Sequence, residues 1–144
     1  MTSGRAALNA RVVLFHSRAH AEAALAVAAE LAKPVVLESA PGVAAYAGAG
    51  YLMEVVERAA ARRPDAAVTW VIDCGDDAGT ALGALRGGWK RVRFSGRADV
   101  LAKLADIAAQ QGAELLAGGA PADALDLRDT SDAAAACRAY LKAG

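Results

Sequence analysis

The alternation of two kinds of sequence pattern constrains the fold of this chain most strongly. Short runs rich in β-branched or aromatic residues predict strands, at positions 11–15, 34–37, 68–73, 91–94 and, more weakly, 113–117. Between these runs apolar residues recur every three or four positions, which indicates amphipathic helices. Strands that alternate with helices pair in parallel through right-handed crossovers. The sequence therefore predicts an α/β fold of five parallel βα units in a single domain over 1–144.

Turn and capping residues agree with this order of elements. Gly87–Gly88 and Gly112 are expected to end helices, and Pro41–Gly42 to turn the chain after the second strand. Residues 130–132, Thr-Ser-Asp, are expected to cap a final helix, because their side-chain oxygens can accept hydrogen bonds from its free amides. The stretch 118–127, rich in Gly, Ala, Pro and Asp, is expected to be irregular.

Charge and cysteine usage limit the classes of partner and compartment. The chain has 16 basic and 16 acidic residues, so no electrostatic argument favours nucleic acid or an anionic membrane as a partner. No apolar run approaches the roughly 18 residues of a membrane-spanning helix, and the first residues do not resemble a secretory signal. We therefore expect a cytoplasmic protein in which Cys74 and Cys137 are free thiols, Cys137 being buried as a small apolar residue.

The stretch 71–77, Val-Ile-Asp-Cys-Gly-Asp-Asp, combines several reactive side chains where a predicted strand meets a helix. Parallel α/β proteins bind ligands at the carboxyl ends of their strands. Strand alternation places Asp73 on the same face as Val71, where a desolvated carboxylate can act as a general base. The alternative for Asp73, which belongs to the strand and precedes a glycine turn, is a structural role in capping the next helix. Asp76 and Asp77 are expected to cap the next helix, over 78–86.

The segment 68–96, VTWVIDCGDDAGTALGALRGGWKRVRFSG, resembles class II fructose-bisphosphate aldolases, in which a strand ending in L-D-H-G leads through a helix to a strand ending in D-G-S. Segment 33–52 is similar to the family's S-P-V-I-L-x-x-S-P-G, and 130–132 to the T-D-P that opens its next helix. The similarity runs in order from about Val12 to Gly144. It implies half of a (β/α)8 barrel, with a sheet flattened to an open flavodoxin-like form as the second alternative.

The resemblance also implies roles for individual residues. Asp73 matches the family's catalytic aspartate, and Cys74 matches a histidine that binds the catalytic zinc, which a thiolate can also bind. Ser39, Ser95 and Gly96, at neighbouring strand ends, are the candidates for binding a small phosphorylated sugar, and Ser95 replaces the aspartate of D-G-S. The family's other zinc histidines lie on later strands than those matched here. We therefore expect an incomplete zinc site, with zinc implied by the resemblance alone.

Three functions are compatible with these residues. The first is a class II aldolase-like protein that binds a ligand without catalysis. The second is a zinc-dependent aldehyde-lyase whose site two copies complete. The third is an interaction domain similar to the anti-sigma-factor antagonists (STAS domains), because residues 76–83 resemble that family's D-S-A-G-L-G-x-L. The first is the expectation that we carry forward.

The sequence also supports predictions for a pair of histidines, a pair of arginines and the oligomeric state. His16 and His20, at the end of the first strand, are expected to be structural or solvent-facing. Arg91 and Arg93 share one face of the fourth strand, so they must reach an edge unless the sheet departs from a closed barrel. Five strands cannot close a barrel, and a homodimer is therefore expected to cover the inner aliphatic side chains, namely Val12, Leu14, Val36, Val71 and Val92.

Overall fold

A computed structural model describes residues 10–144 as a parallel α/β fold with alternating strands and helices. The strands are β1 (Val12–Phe15), β2 (Val35–Ser39), β3 (Val68–Asp73), β4 (Arg91–Phe94), β5 (Glu114–Ala117) and β6 (Leu125–Asp126). The helices are α1 (Arg18–Leu31), α2 (Ala44–Ala47), α3 (Ala49–Arg62), α4 (Ala78–Arg86), α5 (Ala98–Gln110) and α6 (Ala133–Ala143). The predicted fold class is confirmed.

The six strands form one all-parallel sheet in the order β5-β4-β3-β2-β1-β6. From β1 to β5, strands that follow one another in the sequence are neighbours in the sheet. The predicted β3, β4 and α4 have the observed bounds, while β2 continues two residues further, to Ser39. Strand β6 was not predicted: it lies inside the stretch 118–127 that was expected to be irregular, and it pairs Leu125 with Val13 and Asp126 with Leu14.

Capping side chains begin the helices largely as expected. Asp77 caps α4 by accepting a hydrogen bond from the Thr80 amide at 3.0 Å, and Asp132 caps α6 through the Ala135 amide at 3.0 Å. Asp76 precedes the cap of α4 and is exposed, so one of the two predicted aspartates performs this role. Each cap supplies an acceptor to an amide that the first turn leaves without an intrahelical partner.

The described chain divides into two compact units. The first unit comprises 10–38, 55–70 and 121–144, and in it α1 packs against α6. Ala24, Leu25 and Ala28 of α1 are buried, as are Cys137 and Leu141 of α6, so the apolar stripes predicted for these helices form a core. Arg138 of α6 also donates two hydrogen bonds to the Glu30 carboxylate, at 3.0 and 3.1 Å. The prediction that Cys137 is buried as a small apolar residue is confirmed.

The second unit comprises 39–54 and 71–120 and contains β4, β5, α4 and α5. The register of its parallel strands places Asp73 opposite Arg93, and Arg93 opposite Leu116. Arg91 and Arg93 lie on one face of β4, and Val92 and Phe94 are buried on the other face. The prediction of a single domain over 1–144 stays a prediction.

Two further findings concern the expected environment of the chain. No helix within residues 10–144 is long and apolar enough to cross a membrane.

Four aliphatic side chains that were expected to require a partner copy are buried by the chain itself, namely Leu14, Val36, Val71 and Val92. The burial argument for a homodimer therefore does not hold for these four side chains.

Candidate functional site

The carboxyl ends of neighbouring strands converge in the second unit. The Asp73 amide at the end of β3 donates to Ser39 Oγ at the end of β2, at 2.9 Å. The Ser95 amide, after β4, donates to the carbonyl oxygen of Gly75 at 2.8 Å, and the Gly118 amide, after β5, donates to that of Phe94 at 3.1 Å. We call the segments 39–42, 73–77, 95–97 and 118–119 the strand-end site. The structure thus brings the predicted residues Ser39, Asp73, Cys74, Ser95 and Gly96 into one connected region.

Asp73 lies at the end of β3, as strand alternation predicted, but its side chain turns back to its own loop. Asp73 is 4% exposed, and its Oδ1 accepts a hydrogen bond from the Gly75 amide at 2.8 Å. This pattern is that of an aspartate that holds a turn by bonding the backbone two residues on. Gly75 has φ of 57°, a left-handed conformation that glycine adopts without a steric penalty. Asp73 therefore shapes the loop on which Cys74 lies.

Cys74 is buried beside this turn as a free thiol, 1% exposed. Desolvation by burial, followed by the nearby Asp73 and Asp77 carboxylates, raises the pKa of the Cys74 thiol to about 12. Without a metal ion beside it, a thiol with so high a pKa is neutral at physiological pH.

The zinc ion that the resemblance implies does not fit these residues. Cys74 is the one residue at a matched ligand position, and its burial opposes ionisation of the thiol. Within residues 10–144 no three His, Cys, Asp or Glu side chains form a group that could hold a metal ion. A catalytic zinc site uses three protein ligands and an open position. We therefore derive no chemical step through zinc.

The three predicted substrate-binding residues have different environments. Ser39 is fully buried, and its hydroxyl oxygen accepts the Asp73 amide, which makes it a positioning residue for the end of β3. Ser95 is exposed and can present its hydroxyl to a ligand. Gly96 lies against the ring of Phe94, where any β-carbon would collide with the ring, so packing accounts for this glycine. The roles of all three in substrate binding stay predictions.

Arginine side chains also lie at or near the strand-end site, although none was predicted from the sequence to bind a ligand. Arg93 Nη1 donates to the carbonyl oxygen of Gly119 at 3.1 Å, which joins β4 to the loop after β5. Arg97 is held by Asp99 through two hydrogen bonds, at 2.8 and 3.1 Å, with its side chain 79% exposed. The Arg-x-Asp spacing of residues 97–99 is the sequence signal that could have indicated an oriented guanidinium. Arg91 Nε lies 3.6 Å from Glu114 Oε1, its cross-strand neighbour on β5.

The histidines form a separate group in the first unit. His16 Nε2 lies 2.6 Å from Asp126 Oδ1, and the His16 and His20 ring centroids are 5.9 Å apart. Asp126 also accepts the Arg128 amide at 2.9 Å. His16 therefore holds β6, which is one of the two roles expected for His16 and His20. Its partner, Asp126, lies in the stretch 118–127 that was expected to be irregular.

Comparison with known proteins adds no family to this description. No protein-family model matches the chain, and no curated protein matches it. The structure is that of a parallel α/β protein whose strand-end site exposes a hydroxyl, a guanidinium and glycine backbone groups.

Proposed function

We propose that the chain is a class II aldolase-like protein that binds a small phosphorylated sugar at the strand-end site without cleaving it. One observation carries the proposal. The site buries its carboxylate and thiol, Asp73 and Cys74, and exposes Ser95 and Arg97. A buried carboxylate that bonds its own loop and a buried thiol are poorly placed to act on a substrate, whereas an exposed hydroxyl and guanidinium can bind phosphate.

The geometry of Arg97 supports phosphate as the recognised group. Asp99 holds the guanidinium by its Nε and Nη2 atoms, which leaves Nη1 available as a donor. Arg97 immediately precedes α5, whose first amides carry the partial positive charge of a helix N-terminus. Ser95 lies two residues before it on the same loop. A phosphate in this loop would receive hydrogen bonds from a hydroxyl, a guanidinium and backbone amides.

The order of the strands supports the aldolase-like part of the proposal. Strands β1 to β5 follow one another in the sheet, as they do in a (β/α)8 barrel, whereas β6 pairs with the side of β1 opposite β2. The flavodoxin-like order, 2-1-3-4-5, also has a reversal next to its first strand, so the support for a half-barrel comes from β1 to β5 alone. The D-x-G turn of Asp73 and Gly75 also stands where the family has D-H-G.

Isothermal titration calorimetry with fructose 1,6-bisphosphate, and with fructose as the unphosphorylated control, tests the proposal. We expect binding of the bisphosphate and none of fructose. Arg97→Gln should weaken binding by about tenfold to a hundredfold, because a charge-assisted hydrogen bond contributes about 1.5–3 kcal/mol. Arg63→Gln is the matched control, since Arg63 binds Asp65 with the same two distances, 2.8 and 3.1 Å, but lies outside the site.

The results also separate the alternatives. Equal weakening in Arg63→Gln and Arg97→Gln would show non-specific electrostatic attraction and would reject the site. Cleavage of the bisphosphate would favour the dimeric lyase. The STAS-like alternative would be favoured by two results together. The protein would bind no sugar phosphate, and it would bind a protein partner whose affinity falls when exposed residues at the start of α4 are substituted.

Assembly and compartment belong to the same proposal. We propose a homodimer, supported by Tyr46 and Tyr51, large side chains that are 90% and 62% exposed. We also propose a cytoplasmic location, supported by two buried cysteines that are both free thiols. Sedimentation equilibrium at micromolar concentration should give a dimer for the natural chain and a monomer for Tyr46→Ser/Tyr51→Ser, and a monomeric natural chain would refute the dimer.

A further inference from the structure

Two reciprocal hydrogen bonds begin helix α1. Ser17 is its N-cap residue, and Ser17 Oγ accepts the His20 amide at 3.1 Å. In return, the His16 amide donates to His20 Nδ1 at 3.1 Å. The arrangement is similar to a capping box, in which a Glu or Gln three residues after the cap accepts a backbone amide at the helix start. Here the acceptor is an imidazole, and the donor is the amide one residue before the cap.

The hydrogen bond from the His16 amide fixes the protonation state of His20. Nδ1 can accept only while it carries a lone pair, so the neutral ring must hold its proton on Nε2. A proton added at Nδ1 converts this acceptor into a donor that faces another donor. The added charge also lies at the positive end of the α1 dipole. Both effects oppose the closed geometry when His20 is charged.

The groups around His20 determine whether its pKa is raised or lowered in the folded protein. His16 and Asp126 face it from β1 and β6, and on α1 itself Arg18 Nε lies 3.3 Å from Glu22 Oε2. Desolvation by burial and then the charge of His16 lower the pKa of His20, while Asp126 acts in the opposite direction. The folded state therefore favours neutral His20. Its contribution to stability is present above the ordinary value of 6.5 and is lost as the pH falls below it, towards the lowered folded pKa.

We propose that this histidine capping box is a proton-sensitive switch, in which protonation of His20 releases the His16 amide and opens the turn between β1 and α1. The opening is local. The His16–Asp126 contact, at 2.6 Å, and the hydrogen bond from the Leu127 amide to the Leu14 carbonyl oxygen, at 3.2 Å, do not involve His20, so β6 stays attached. The switch is independent of sugar-phosphate binding at the strand-end site.

Amide hydrogen exchange followed by NMR at about pH 7.5 and about pH 5 tests the switch, because these values bracket histidine titration. After correction for intrinsic exchange, we expect protection of the His16 amide to fall by about tenfold in acid, and that of the Leu127 amide to stay unchanged. In His20→Gln, which supplies the usual capping-box acceptor without a titrating ring, the position-16 amide should stay protected at both pH values. His16→Gln keeps His20 and should retain the pH dependence.

Several results would overturn the proposal. One is the same loss of protection in His20→Gln as in the natural chain. Another is parallel loss at Leu127, which would mean detachment of β6 rather than local opening. A third measurement needs no substitution: histidine nitrogen chemical shifts of the natural chain at about pH 7.5 should show unprotonated Nδ1 on His20, and a proton there would reject the capping box.

Discussion

Replacing Ser39 by alanine tests the chemistry at the end of β2 most directly. The substitution removes the Oγ atom that accepts the Asp73 amide at 2.9 Å, with Ser39 fully buried and Asp73 4% exposed. Water cannot easily replace the lost acceptor at such a position. A buried donor left without its partner costs about 1–3 kcal/mol, which at this chain length lowers Tm by roughly 4 °C per kcal/mol. We therefore expect Ser39→Ala to unfold about 4–12 °C below the natural chain.

Urea unfolding followed by far-ultraviolet circular dichroism gives the free energy of unfolding of Ser39→Ala. Ser95→Ala is the matched control, because Ser95 follows the neighbouring strand β4 but is exposed, and it should change the free energy by less than about 0.5 kcal/mol. If Ser39→Ala were as stable as Ser95→Ala and lost sugar-phosphate binding instead, Ser39 would be a ligand residue and the positioning argument would be refuted.

Three further predictions concern zinc, the thiols and a helix cap. The protein dialysed after exposure to zinc should retain no stoichiometric metal and should not cleave fructose 1,6-bisphosphate; one tightly bound zinc per chain, with cleavage lost in Cys74→Ala, would contradict this. With thiol pKa values raised by burial to about 12 for Cys74 and about 11 for Cys137, iodoacetamide at about pH 8 should label neither thiol in the native protein and both after unfolding. Asp77→Ala should cost about 1 kcal/mol of stability through loss of the α4 cap, whereas Asp76→Ala should be near neutral, and equal effects would remove the cap from the explanation.

The main elements of the fold were predictable because local signals set their limits. The β-branched run 68–73 ends at a glycine turn, and 78–86 begins after Asp77 and stops at Gly87, so composition and capping fixed both sets of bounds. In contrast, β6 has two residues, too few for any periodicity. Its existence depends on pairing with β1 and on the His16–Asp126 contact, both of which join positions distant in sequence. Such non-local contacts leave no pattern in a single sequence.

The candidate site was predictable in position but not in chemistry. The rule for ligands at strand ends, together with strand alternation, located Asp73 and Ser39 near one another. Neither rule contains the burial of Ser39 or the direction of the Asp73 carboxylate, because both depend on how neighbouring loops pack. The Cys74 thiol is a similar case, since its raised pKa is caused first by desolvation, which sequence spacing does not report.

The turn at Asp73 offers a physical reason for the motif that carries the resemblance. The Gly75 amide donates to the Asp73 carboxylate at 2.8 Å, and residue 75 itself has φ of 57°, a conformation that costs an ordinary L-residue roughly 1–2 kcal/mol. The first and third positions of Asp-Cys-Gly are thus fixed by the turn, whereas the middle position makes no side-chain contribution to it. The turn can therefore persist whether or not the residue at position 74 binds metal. The D-x-G turn is thus compatible with the proposed function, in which the strand-end site holds a ligand without cleaving it.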